Sequence, residues 1–187
     1  MDQHKVKHII QSVLKGNHSA FSEIVKAHKD LVFGLSLKIS QSQNDAEEIS
    51  QETFIKIFQQ LASFRGQSKL STWIYRITYF TAINYLKKHK KFVAEPLELE
   101  SQHPQVKSFD SLSHDEQKRY INKALNRLNP QERAIITCFY LDEFTLKETA
   151  EITGNTIGNT KIKLHRTRAK LKTILNELLP QEATMLY

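Results

Sequence analysis

The sequence predicts an all-α protein of two small helical domains joined by a flexible acidic linker, the second domain ending in a helix-turn-helix. Apolar residues recur at intervals of three and four through most of the 187 residues, and no alternating strand pattern competes. Only five glycines are present, and none clusters into a phosphate-cradling loop. Residues 93–113, VAEPLELESQHPQVKSFDSLS, carry Pro96 and Pro104, hold no steady helical period and are acidic where the flanks are basic, as a tether would be.

Taken in order, the period places helices at about 4–15, 19–40, 45–62 and 70–90 before the linker. Asp45 with Glu48 three residues later reads as a capped start for the third. After the linker come helices near 114–127, 130–140, 145–153 and 156–178. Here the punctuation is explicit: Asn129 caps with Pro130 at the first helical position and Glu132 in the first turn, and Thr145 with Glu148 forms a capping box. The domains are therefore expected at 1–92 and 114–187.

Charge narrows the function. The net charge is +7 with a pI near 9.4, which suits a polyanion partner. It is distributed as +7 over residues 1–92, −3 over 93–113 and +3 over 114–187. The start, MDQHKVKHII, lacks an apolar segment with a small-residue cleavage site, and no apolar run approaches the roughly 18 residues of a membrane helix. A cytoplasmic protein without membrane insertion is expected. The single cysteine, Cys138, stands in the apolar run AIITCFYL and reads as a small buried hydrophobe rather than a reactive thiol. His4 and His8 stand one helical turn apart without a nearby third ligand and read as surface residues. No metal and no cofactor are expected.

Three stretches carry the chemistry. In LKETAEITGNTIGNTKIKLHRTRAKL a short capped helix meets a turn at Gly154, and a longer basic helix follows, the layout of a helix-turn-helix. Ile157, Thr160, Leu164 and Leu171 mark its core side, while Lys161, Lys163, His165, Arg166, Arg168, Lys170 and Lys172 form a basic face with almost no acids to pair it before Glu177. The helix DAEEISQETFIKIFQQL does the opposite, gathering Asp45, Glu47, Glu48 and Glu52 in an otherwise basic domain. With Ile49, Thr53 and Ile57 inward, Glu48, Gln51, Glu52 and Ile55 make a mixed surface suited to a protein partner. Glu48 and Glu52 could instead do acid-base work, although no His lies in register with them. Finally, FRGQSKLSTWIYRITYF crowds rings around a Gly66 turn and runs on to LKKHKK, where Lys87, Lys88, Lys90 and Lys91 make a basic edge. Rings beside cations suit single-stranded nucleic acid, while Trp73, Ile77 and Tyr85 could build the core; both are expected, with some rings inside and others presented to extruded bases.

The order DAEEISQETFIKIF, FRGQSKLSTWIYRI, a basic helix end, an acidic linker, ALNRLNPQERAII and KLHRTRAKL resembles the extracytoplasmic-function (ECF) class of bacterial sigma factors over about residues 5–178. The resemblance implies a promoter-specificity subunit of RNA polymerase with no catalysis of its own, residues 1–92 being sigma region 2 and 114–187 sigma region 4. It implies that Asp45, Glu48, Gln51 and Glu52 dock on the beta-prime clamp of core polymerase, with the beta flap as a further contact. Phe64, Arg65, Gly66, Gln67 and Ser68 would form the loop that receives a flipped base of the minus-ten element of promoter DNA. Trp73, Arg76, Phe80, Asn84, Lys87 and Lys88 would hold the melted strand. Thr156, Asn159, Lys161, Ile162, Lys163, His165 and Arg166 would meet the minus-thirty-five duplex, and an anti-sigma factor would regulate the protein. Family members often carry Asn where Phe80 stands, a small polar residue at Ile162 and Pro at Thr156, so no relative's promoter sequence transfers. The rival readings are a duplex-binding regulator that works without polymerase and, behind it, a helical enzyme.

Overall fold

The structure is a computed structural model that describes residues 3–89, 109 and 112–179. Most of the expected linker, together with Lys90 and Lys91, lies outside the described residues. Eight α-helices follow one another among them: α1 (Gln3–Leu14), α2 (Phe21–Ser40), α3 (Gln43–Gln60), α4 (Leu70–Lys88), α5 (His114–Asn126), α6 (Pro130–Ile136), α7 (Leu146–Thr153) and α8 (Ile157–Leu178).

Local chemistry explains most of the boundaries. The capping boxes at Asn129–Glu132 and Thr145–Glu148 form as expected, and a third at Ser113–Glu116 opens α5. The start of α3 differs from expectation. Ser42 is the cap, its hydroxyl accepting the Asp45 amide at 3.3 Å, so the helix begins two residues before Asp45. After Ile136 the predicted straight helix widens into a π turn, Thr137–Leu141, closed by Asp142 N–H to the Thr137 carbonyl at 2.9 Å. That turn leaves Tyr140 and Leu141 exposed and faces Asp142 toward the first half of the chain.

The core falls into three clusters. The first joins α1 to α4 through Val6, Ile9, Ile10, Ile24, Val32, Ile57 and Ile74. The third holds the second half together through Leu125, Leu128, Ile135, Ile136, Leu164 and Ile174. The middle cluster belongs to both halves: Leu35, Ile39, Tyr75, Tyr79 and Ile83 pack with Ala134, Cys138 and Ile152. Cys138 is indeed buried. The two helical domains thus share apolar surface along α4, which α2 and α3 also contact and on which α7 lies.

Polar ties reinforce that seam. Asp142 accepts Lys38 Nζ at 3.0 Å and the Tyr75 hydroxyl. Arg133, 5% exposed, donates to the Leu128 carbonyl at 2.8 Å and to the Lys38 and Ile39 carbonyls, at 3.2 and 3.4 Å, at the end of α2. A guanidinium at a helix carboxyl end satisfies carbonyls that the helix itself cannot. Burial lowers its pKa to about 10, which leaves it charged at neutral pH.

Candidate nucleic-acid interface

The crowding of rings on α4 is resolved by packing. Tyr75 and Tyr79 are buried at the seam, with Tyr75 edge-on to Phe144 of the second half at 4.7 Å. Trp73 and Phe64 are half-buried and tilted against each other at 5.4 Å, and Ile77 is buried. Tyr85 is half-buried and donates to Glu48 Oε2 at 2.6 Å and Asp45 Oδ1 at 3.2 Å, bonds that push its own pKa up. Only Phe80, 37% exposed, remains a ring largely at the surface of this helix.

On α3, Ile49, Thr53 and Ile57 face inward as expected, while Glu48, Gln51, Glu52 and Ile55 are exposed. Asp45 is a correction: it is only 5% exposed, because the second residue after the new helix start turns inward beneath Tyr85. Glu52 pairs with Lys56 at 2.7 Å. Phe58, exposed beside Ile55 at the next turn, extends the apolar part of this surface and was not anticipated.

Between α3 and α4 the chain passes through Phe64, Arg65, Gly66, Gln67 and Ser68. Gly66 has φ +69°, a left-handed conformation that favours glycine and lets the loop reverse. The loop walls one side of an open groove of about 600 Å³. The opposite wall comes from His4, Lys7 and Gln11 of α1 and from His28 of α2, residues to which the motifs assigned no role in this site. The available signal was positional, since His28 falls on the core stripe of α2 between Ile24 and Val32.

Along α4, Asn84, Lys87 and Lys88 are exposed. Arg76 is half-buried, and Phe80, although partly exposed, packs on the second half of the chain. The Arg76 guanidinium donates to the Glu151 carbonyl at the end of α7 and lies 5.2 Å from the Phe80 ring centre. The Phe80 ring packs on Gly154, whose φ of +68° closes α7. A Cβ at Gly154 would come within 2.9 Å of Phe80 Cζ, so the turn of the helix-turn-helix and the ring are fitted to one another.

In the helix-turn-helix, Thr156 caps α8 by accepting the Asn159 amide at 3.2 Å. Asn159, Lys161, Ile162, Lys163, His165 and Arg166 are all exposed, and Ile162 is 51% open. Lys163 reaches back to Asn155 Oδ1 at 2.7 Å. Ile157, expected on the core side, is instead 50% exposed, because the first turn of α8 projects past α7; Thr160, Leu164, Thr167 and Ile174 make the buried stripe. Among the described residues, no group of three His, Cys, Asp or Glu side chains could hold a metal, and His4 and His8 are exposed. No described helix is long and apolar enough to cross a membrane.

Residues 24–92 match the Sigma-70 region 2 family, and residues 118–171 match Sigma-70, region 4. The chain is 31% identical over 183 residues to the ECF RNA polymerase sigma factor SigW of Bacillus subtilis, covering 92% of this chain and 98% of that protein. It is 26% identical to the ECF RNA polymerase sigma-E factor of Haemophilus influenzae, over 91% and 95% of the respective chains. In fold it is similar to CnrH, solved in complex with the cytosolic domain of CnrY, with a TM-score of 0.65 at 17% identity over 92% of this chain and 98% of that one. It is also similar to the sigma factor RpoE of Bartonella quintana, solved with the anti-sigma factor NepR, with a TM-score of 0.62 at 23% identity over 83% and 96%. The two matched regions, with 31% identity to an ECF sigma factor over nearly the whole of both chains, place this chain in the ECF RNA polymerase sigma factors, which direct polymerase to promoters.

Proposed function

We propose that α3 docks this sigma factor on the beta-prime clamp of core polymerase through Glu48, Gln51, Glu52 and Ile55, with Phe58 at the edge. The observation that carries this reading is the exposed acidic and apolar face of α3, which leads directly into the groove loop. A patch with an apolar centre and charged margin suits a protein partner, and its negative sign disfavours DNA. Asp45 supports the patch from beneath by holding Tyr85.

The loop Phe64–Ser68 then receives a base extruded from the minus-ten element, and Trp73, Asn84, Lys87 and Lys88 follow the unpaired strand. Stacking contributes about 1–3 kcal/mol per base, enough to offset the few kcal/mol of unstacking. Arg76 and Phe80 join that strand once α7 has moved off them. Thr156, Asn159, Lys161, Ile162, Lys163, His165 and Arg166 meet the minus-thirty-five duplex, where the Ile162 side chain can contact a thymine methyl. The functional division follows the domains, 1–92 for clamp and minus-ten, 93–113 as connector, and 114–187 for minus-thirty-five and the beta flap. The Bartonella relative was solved with an anti-sigma factor, and a partner of that kind is proposed here as the regulator. The protein initiates transcription with no catalysis of its own.

Transcription by purified core polymerase on a pool of promoter fragments tests this reading. Specific start sites should appear only with the protein, and Glu48→Lys with Glu52→Lys should abolish them while leaving duplex binding by the helix-turn-helix in place. A folded protein that neither binds core polymerase nor yields transcripts would return the reading to a duplex-binding regulator.

A further inference from the structure

We propose that Tyr85 is a positioning residue for polymerase docking, its hydroxyl fixing the Glu48 carboxylate in the orientation that the clamp meets. This rests on the reading of the α3 face as the docking surface. Asp45 and Glu48 stand three residues apart on α3, so they share one side of that helix. Tyr85 of α4 meets both there, with its hydroxyl 2.6 Å from Glu48 Oε2 and 3.2 Å from Asp45 Oδ1. A hydroxyl has one proton to donate, and the shorter distance gives it to Glu48. The ring behind it is a firm base. It packs against the middle core cluster and lies 4.2 Å from the His89 ring, and a tyrosine has only two side-chain torsions to hold.

The other acids of the α3 surface are held differently. Glu52 Oε1 pairs with Lys56 at 2.7 Å, and Glu47 Oε1 accepts from the Gln43 amide at 3.3 Å, both within α3. Lys56 thus offsets the charge of Glu52 before any partner arrives. Glu48 is exposed and is held from another helix by a neutral donor, and among the described residues no cation pairs with it. Its charge therefore stays uncompensated while its geometry is set. A glutamate free on a helix surface loses rotamer freedom when a partner fixes it, and one already fixed has less to lose. The Tyr85 bond uses one lone pair of Oε2, so Oε1 stays open to a guanidinium or ammonium of core polymerase.

The test is the affinity of the full chain for purified core polymerase, measured as a double-mutant cycle. Tyr85→Phe keeps the ring, removes only the hydroxyl and should weaken binding about fivefold. In a Glu48→Ala background the same change should cost less than about twofold, because no carboxylate is left to position; in a Glu52→Ala background it should again cost about fivefold. A merely structural role for Tyr85 gives the same loss in all three backgrounds, and that result overturns the proposal, as does unchanged affinity in Tyr85→Phe. Glu48→Ala and Glu52→Ala proteins that each bind core polymerase as the wild type does would overturn the docking face itself, which is a separate outcome. Should Tyr85→Phe fail to fold, Glu48→Asp takes its place, since it keeps the charge but draws the carboxylate one methylene back from the hydroxyl. It should bind core polymerase about fivefold more weakly or worse, and wild-type affinity overturns the proposal.

Discussion

Arg133 offers the sharpest test of how the two halves are held. Its guanidinium bonds one carbonyl of its own half, Leu128, and two at the end of α2, Lys38 and Ile39. Arg133→Met keeps the length and apolar stem but removes every donor, leaving three carbonyls with fewer partners in a site that is 5% exposed. Charge-assisted bonds contribute about 1.5–3 kcal/mol each, and release of a buried charge from its desolvation returns several kcal/mol, so a net loss of about 2–4 kcal/mol is expected. With a urea slope of about 2–3 kcal/mol/M, the midpoint should fall by about 1 M. Two probes should also separate. The single tryptophan, Trp73, reports on the first half through its contact with Phe64, while ellipticity at 222 nm reports on all helices. If Arg133 couples the halves, the two unfolding curves diverge in the variant more than in the wild type. A midpoint unchanged within error, with coincident curves, would refute the assignment of Arg133 as the tie.

Gly154→Ala combines a left-handed φ of +68° with a Cβ 2.9 Å from Phe80, so it should lower stability by about 1–3 kcal/mol, and a thermal melt of Gly154→Ala with Phe80→Ala should recover the part due to the clash. His28 predicts a pH signature. Because its folded pKa is depressed, its stability contribution is complete above about 6.5, the unfolded value, and falls as pH drops from there toward the folded value; His28→Phe should lose less stability than the wild type in urea titrations over that window. Arg166→Ala should cost about 1–3 kcal/mol of duplex affinity with relaxed preference at one position if it reads a base, or reduce the salt slope by about 1 if it meets only phosphate. Titration at several salt concentrations separates the two, and no change in either removes Arg166 from the interface.

The sequence by itself determined the helices, because helix starts and stops are local. Asn129–Pro130–Glu132 and Thr145–Glu148 cap their own backbone within three residues, and the structure places α6 and α7 where those residues put them. The basic face of α8 was legible for the same reason, since side-chain direction follows from spacing along one helix. Only the tertiary structure decided what α4 faces. That helix is apolar on nearly every side, so its period assigns no outer face, and the burial of Tyr75 and Tyr79 depends on helices far away in the chain. Asp45 was misplaced because a cap three residues earlier shifted the start of α3, and Ile157 because packing ends before the helix does. The groove wall at His28 is non-local as well. The other lining residues come from α1 and from the loop that follows α3, and only folding brings these distant segments around one groove.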